Sequence, residues 1–127
     1  QLCTRVLELI DTYHRAGSAI ITSFSLPVLE TVRAHHARIR LGLLGHRSVF
    51  RPSLLAQLHD VQATYYFQNV LTMSHRLADR LAEHGIQSGV FTANSIRAFA
   101  HARACGVDYV ITDRLEEAQA FFSKHDR

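Results

Sequence analysis

The sequence predicts an α/β fold, a parallel sheet with its helices outside, and three observations carry that prediction. Apolar runs of strand length alternate with stretches of helical periodicity along the chain. In the clearest unit, over 87–112, a run, a helix and a second run follow one another without a linker. Strands joined that way pair in parallel, with a right-handed crossover. No low-complexity tract interrupts the alternation, so residues 1–127 read as one domain.

Residues 2–15 read as an amphipathic helix, with Leu2, Val6, Leu9, Ile10 and Tyr13 on one face and Gly17 at its end. Residues 18–24 are the first strand. Ser25 and Pro27 open a helix over 26–38 that turns Leu29 and Val32 inward. Residues 39–44 are the second strand, closed by Gly45. Arg51-Pro52-Ser53 starts a short helix through His59, and the aromatic run 61–67 is the third strand. Thr72 or Ser74 caps the helix over 75–84, whose buried stripe is Leu77, Ala78 and Leu81. Strand 87–93 leads to Asn94, whose side-chain oxygen suits the orphan amides of a helix start. That helix puts Ile96, Phe99, Ala100 and Ala104 on one stripe and stops at Gly106, a residue suited to the left-handed position past a helix end. Residues 107–112 are the last strand. Asp113 with Glu116 makes a capping-box pattern for a final helix with Leu115, Ala118, Phe121 and Phe122 inward.

Composition bounds the function. Hydrophobic residues are 47% and charged residues 20% of the chain, the proportions of an ordinary globular domain. No apolar run approaches the roughly 20 residues of a membrane span, and no stretch reads as a signal peptide. The net charge is +3, and Lys124 is the only lysine. The arginines are scattered along predicted helices without interleaved aromatics, which argues against a nucleic-acid face. Cys3 and Cys105 lie far apart with no partner spacing, pointing to a reducing compartment and so to a cytoplasmic location, with a periplasmic or secreted one as the alternative.

Several runs also carry a family resemblance. Gly85, the segment Phe91-Thr92-Ala93-Asn94 and the segment Gly106-Val107-Asp108-Tyr109-Val110-Ile111-Thr112-Asp113 resemble the closing part of the glycerophosphodiester phosphodiesterases. That family usually has Trp where this chain has Phe91, a change that keeps a ring and loses the indole donor. Ser23-Phe24, the 39–44 strand and Leu71-Thr72 resemble earlier parts of the same pattern. Periodicity alone does not separate an open sheet from a barrel. The resemblance implies a partial (β/α)8 TIM barrel, about its last five βα units, and 127 residues is about half of a full barrel.

The resemblance further implies hydrolysis of a glycerophosphodiester substrate to glycerol 3-phosphate and an alcohol. Two histidines would serve as general base and acid, and three carboxylates would hold Mg²⁺ or Ca²⁺, since hard oxygens suit such cations. In the family those groups belong to a His-Arg-Gly motif, a Glu-x-Asp strand, a second His and a Glu-x-Lys strand, all in the first three units. This chain lacks them, so catalytic residues and metal ligands are expected to be absent and the chain inactive alone. Two runs that imitate the first motif are set aside. His14-Arg15-Ala16-Gly17 sits at a helix end before a strand, and Gly45-His46-Arg47-Ser48 has no Glu-x-Asp pair after it.

The substrate-side candidates are Phe24, Phe91, Thr92, Asn94 and Asp113, which the resemblance places with Ser23, Phe67 and Thr112 at strand C-terminal ends, where barrel active sites lie. Each also has a structural reading: Asn94 and Asp113 as helix caps, the phenylalanines as core, the threonines as strand formers. A second class of function stays open beside the hydrolase, a stand-alone binding or oligomerising module that self-associates through open sheet edges.

Overall fold

The computed structural model describes residues 20–45, 51 and 53–125. The helix expected at 2–15, Cys3, the His14-Arg15-Ala16-Gly17 run and residues 46–48 after Gly45 lie outside them. Strands and helices alternate as β1 (Ile20–Ser23), α1 (Leu26–His35), β2 (Arg40–Leu44), α2 (Ser53–Asp60), β3 (Tyr65–Asn69), α3 (His75–Glu83), β4 (Gln87–Phe91), α4 (Ile96–Cys105), β5 (Tyr109–Val110) and α5 (Leu115–His125). The five strands pair in sequence order, every pair parallel. This is the expected α/β architecture.

Helix starts follow from side-chain caps. Ser25, Ser74 and Ser95 each sit in extended backbone and accept a bond from the amide three residues on, at 3.4, 3.1 and 3.1 Å. Each thereby satisfies one of the donors a helix leaves open. Gly106 ends α4 at φ 74°, a conformation that costs a side-chain-bearing residue but not glycine. At the same end of the sheet as Gly106, Arg33 gathers the loops that follow α1 and α2. Its guanidinium donates to the carbonyls of Val61, His36, Ala37 and Gln62, at 2.9, 3.2, 2.8 and 3.1 Å.

Residues paired directly across parallel strands point to the same face, so register sorts the side chains. Leu41, Leu43, Tyr66 and Val90 turn outward and meet the helices. Leu29, Val32, Leu58 and Leu81 cover the first strands, and Phe99, Ala102, Ala118 and Phe121 the last. Thr22, Gly42, Tyr65, Phe67, Gln87, Gly89 and Tyr109 share the opposite, concave face. β3 is buried on both faces over Tyr65, Tyr66, Phe67 and Gln68, as befits the middle strand, whereas β1 at the edge is half-exposed.

The concave face is closed up by rings. Tyr109 on β5 reaches over β4 to Tyr65 and Phe67 on β3, with ring centroids 5.7 and 6.4 Å apart. The strand between offers Gly89, which makes room for the Phe67 ring.

Several local expectations are corrected. β3 begins at Tyr65, because Val61 to Thr64 form a turn in which Ala63 N–H bonds to the Leu58 carbonyl and Gln62 takes φ 56°. Val61 and Ala63 are buried, which gives the turn a strand's hydropathy. The buried stripe of α4 is Phe99, Ala102 and Cys105, while Ile96, Ala100 and Ala104 face solvent. Alanine marks a helix face poorly, since it gains little by burial. Leu115 at the start of α5 is exposed, while Ala118 and Phe121 are buried as expected.

Candidate functional site

The strand C-terminal ends open onto one rim. β1 delivers Phe24, β3 Asn69, β4 Phe91 and Thr92, and the chain after β5 delivers Thr112 and Asp113. Phe24 and Phe91 touch edge to face, ring centroids 5.8 Å apart and planes at 89°. Their strands, β1 and β4, have two others between them. Strands lie about 4.8 Å apart, so a flat sheet would hold these ends roughly 14 Å from one another. The sheet therefore curls strongly, and the two rings form a wall on the inside of the curve. Phe91 is half-buried and Phe24 largely exposed, so neither is core.

Asn94 does not cap α4. Its Oδ1 accepts from the Asp113 amide at 2.9 Å and from the Thr112 hydroxyl at 3.1 Å, and its Nδ2 donates to Asp113 Oδ2 at 3.1 Å. One side chain thus ties the loop after β4 to the loop after β5. Ser95, one residue later, takes the cap. Asp113 correspondingly turns its carboxylate to Asn94 rather than forming the expected capping box, and Thr112 Oγ1 accepts from the Arg114 amide at 2.9 Å. Below this lock, Asp108 binds β5 to β4. Its amide donates to the Ser88 carbonyl and its carboxylate accepts from the Ser88 amide, at 2.9 and 3.0 Å.

Phe67 belongs two residues below the rim, on the concave face, and Asn69 stands at the strand end in register with Phe91. Asn69 Oδ1 accepts from Leu71 N–H at 2.9 Å, and Gln68 Nε2 donates to Thr72 Oγ1 at 2.6 Å, which together set the loop after β3. The polar residues Gln68-Asn69 after an aromatic run are the sequence signal for that strand end. Ser23 shapes its own turn, accepting from Ser25 N–H at 3.0 Å. Thr92 is exposed beside Phe91. Rings, a hydroxyl and a tethered amide can pack against and hydrogen-bond a small polyol.

The model of the glycerophosphoryl diester phosphodiesterase family matches residues 2–117. This chain belongs to that family. The curled sheet of five βα units is accordingly part of a TIM barrel, as the resemblance implied. Solved structures agree on the fold. One from Silicibacter pomeroyi, assigned as a glycerophosphoryl diester phosphodiesterase, superposes with a TM-score of 0.87 at 16% identity over 98% of this chain and 44% of its own. A glycerophosphodiester phosphodiesterase from Parabacteroides distasonis gives 0.82 at 14% identity, over 98% of this chain and 51% of its own. An Oleispira antarctica phosphodiesterase in complex with the product sn-glycerol-3-phosphate gives 0.75 at 16% identity, over 82% and 41%. The chain spans about half the length of these family members. No curated protein matches it.

Among the described residues, no three His, Cys, Asp or Glu side chains gather as a cation site. None of their helices is long and apolar enough to cross a membrane.

Proposed function

We propose that residues 1–127 are the C-terminal, substrate-side portion of a glycerophosphodiester phosphodiesterase barrel, which hydrolyses its substrate to glycerol 3-phosphate and an alcohol. The observation that carries this is the family match over residues 2–117, on a sheet whose curl brings Phe24 and Phe91 together at the mouth. The two rings wall the space in which the glycerol carbons pack, and Thr92 offers its hydroxyl to a phosphate or polyol oxygen. Asn94 uses three of its four bonding positions on the loop lock, which leaves one amide hydrogen for ligand. Asp113 acts through Asn94 as a positioning residue.

The family resemblance implies Mg²⁺ or Ca²⁺, and the described residues do not fit such an ion. No donor cluster exists among them, and the Asp113 carboxylate at the rim is engaged by Asn94. A hard dication needs several oxygen ligands. The ion's ligands, with the general base and acid, belong on this reading to other units of the barrel, and the chain is inactive alone.

The test is glycerol 3-phosphate release from glycerophosphocholine with Mg²⁺ or Ca²⁺. The 127-residue chain is expected to release none and the product of the complete reading frame to release it. Phe91→Ala in that product is expected to raise KM several-fold. Release by the 127-residue chain, or none by the complete product, would overturn the reading.

A second reading has its own observation. Among the described residues, β1 and β5 are each paired on one side, and Ile20, Tyr109 and Ile111 stand exposed beside them. Open edges of this kind pair with further strands, so a module that self-associates would show a mass rising with concentration. A constant monomer mass removes that reading.

A further inference from the structure

Eight large apolar side chains are exposed among the described residues. Ile20, Tyr109 and Ile111 border the concave face that further barrel strands would cover, and Phe24 belongs to the mouth. Leu71 and Ile96 have no such explanation. They are 86% and 59% exposed, Leu71 in the loop after β3 and Ile96 at the first position of α4, and both β3 and β4 are paired on each side. No missing neighbour strand accounts for them. Leu115, 62% exposed, holds the equivalent place after β5.

Each of these loops also presents an exposed arginine: Arg76 in the first turn of α3, Arg97 in the first turn of α4, Arg114 just before α5. Arginines scattered in sequence are thus brought to one rim. The first turns of α3 and α4 contain no acidic residue, and Arg76 and Arg97 form no ion pair with any described residue. A cation at a helix N-terminus opposes the macrodipole, so helix stability does not explain the placement. The acids on this rim are Asp79, which engages His75 at 3.3 Å one turn into α3, and Asp113, Glu116 and Glu117, which lie beside Leu115, with Glu117 paired to Arg114. The basic, apolar part is therefore centred on the loops after β3 and β4.

Exposed aliphatic tips between guanidinium groups are the chemistry of a surface that enters an anionic lipid interface. The aliphatic groups reach the acyl boundary while the guanidiniums meet head-group phosphates. We propose that the rim formed by Leu71, Arg76, Ile96 and Arg97 docks the barrel mouth onto an anionic lipid surface. The docking stands on the patch itself and is independent of the function proposed above.

The test is co-sedimentation of the purified chain with vesicles of phosphatidylcholine alone and of phosphatidylcholine mixed with phosphatidylglycerol. Binding to the mixed vesicles and not to the neutral ones is expected. Leu71→Ser with Ile96→Ser should weaken it about tenfold or more, since two aliphatic groups no longer enter the interface. Arg76→Gln with Arg97→Gln should weaken it about tenfold and flatten its salt dependence. All four side chains are exposed, so neither pair removes core packing. No binding to mixed vesicles, equal binding to neutral ones, or binding unchanged in the Leu71/Ile96 pair overturns the proposal. Sedimentation needs no turnover, so a complete product that hydrolyses nothing refutes the hydrolase reading alone.

Discussion

Replacing Gly89 by alanine tests the curvature on which the mouth depends. Gly89 lies on β4 and faces the concave side, between the Phe67 and Tyr109 rings. A Cβ there would stand 2.4 Å from Phe67 Cδ1, 2.5 Å from Cε1 and 3.2 Å from Tyr109 Cβ. Carbons pack at about 3.5–4.0 Å, so the Phe67 ring must retreat by roughly 1 Å. That ring is buried and already holds Tyr109, so it has little room to go. Overpacking of this kind costs about 1–3 kcal/mol, and the stiffer unfolded chain of alanine returns roughly 0.5–1 kcal/mol. Because the ring is hemmed in, the upper half of the overpacking range applies, and the net expectation is a loss of about 1–2 kcal/mol, read from urea unfolding at unchanged slope. Phe67→Leu removes Cε1 and replaces the rigid ring edge at Cδ1 by a methyl group that can rotate away. The double variant should therefore be more stable than the sum of the single changes by about 1 kcal/mol. A Gly89→Ala chain within about 0.5 kcal/mol of the original, or strict additivity, would refute the packed concave face.

Two further outcomes follow from the site and the core. Asn94→Ala removes three bonds that tie the loops after β4 and β5, all partly solvated, so a loss of about 1–2 kcal/mol is expected. The Asp113 amide, which donates to Asn94, should exchange hydrogen faster, and an unchanged exchange rate would remove the lock. Burial pushes the Tyr66 hydroxyl up from 10.0 to about 12. The buried neutral phenol therefore contributes stability that is fully present below pH 10 and is lost as pH rises through 12, with an upper size of roughly 2–3 kcal/mol. Unfolding measured across that alkaline window should show the loss, and Tyr66→Phe should flatten it. An identical profile in the variant would show that some other group titrates.

The helix starts at Ser25 and Ser74 and the stop at Gly106 are legible in the sequence because each is decided by atoms within a few residues. The buried faces of α1 and α3 are legible for the same reason, since Leu29, Val32, Ala78 and Leu81 repeat at helical spacing. Asn94 reads as a cap and is a loop tie, because both roles draw on the same acceptor. Which donor it meets depends on where the loop after β5 arrives, 19 residues later. The start of β3 reads too early because Val61 and Ala63 are buried in a turn, and hydropathy reports burial rather than conformation. The polar pair Gln68-Asn69 after the aromatic run marks the end of β3, but that Asn69 stands level with Phe91 at the rim follows only from the register of β3 with β4.

By itself the sequence determined the alternation of elements, the parallel sheet and the family, because these rest on local periodicity, short connections and a run of motif residues. It could not determine that Phe24 and Phe91 meet, that Tyr109 reaches Phe67 across Gly89, or that Arg76 and Arg97 share a rim with Leu71 and Ile96. Those are relations among strands and loops far apart in the chain. They follow from the twist and curl of the assembled sheet, which no single segment encodes.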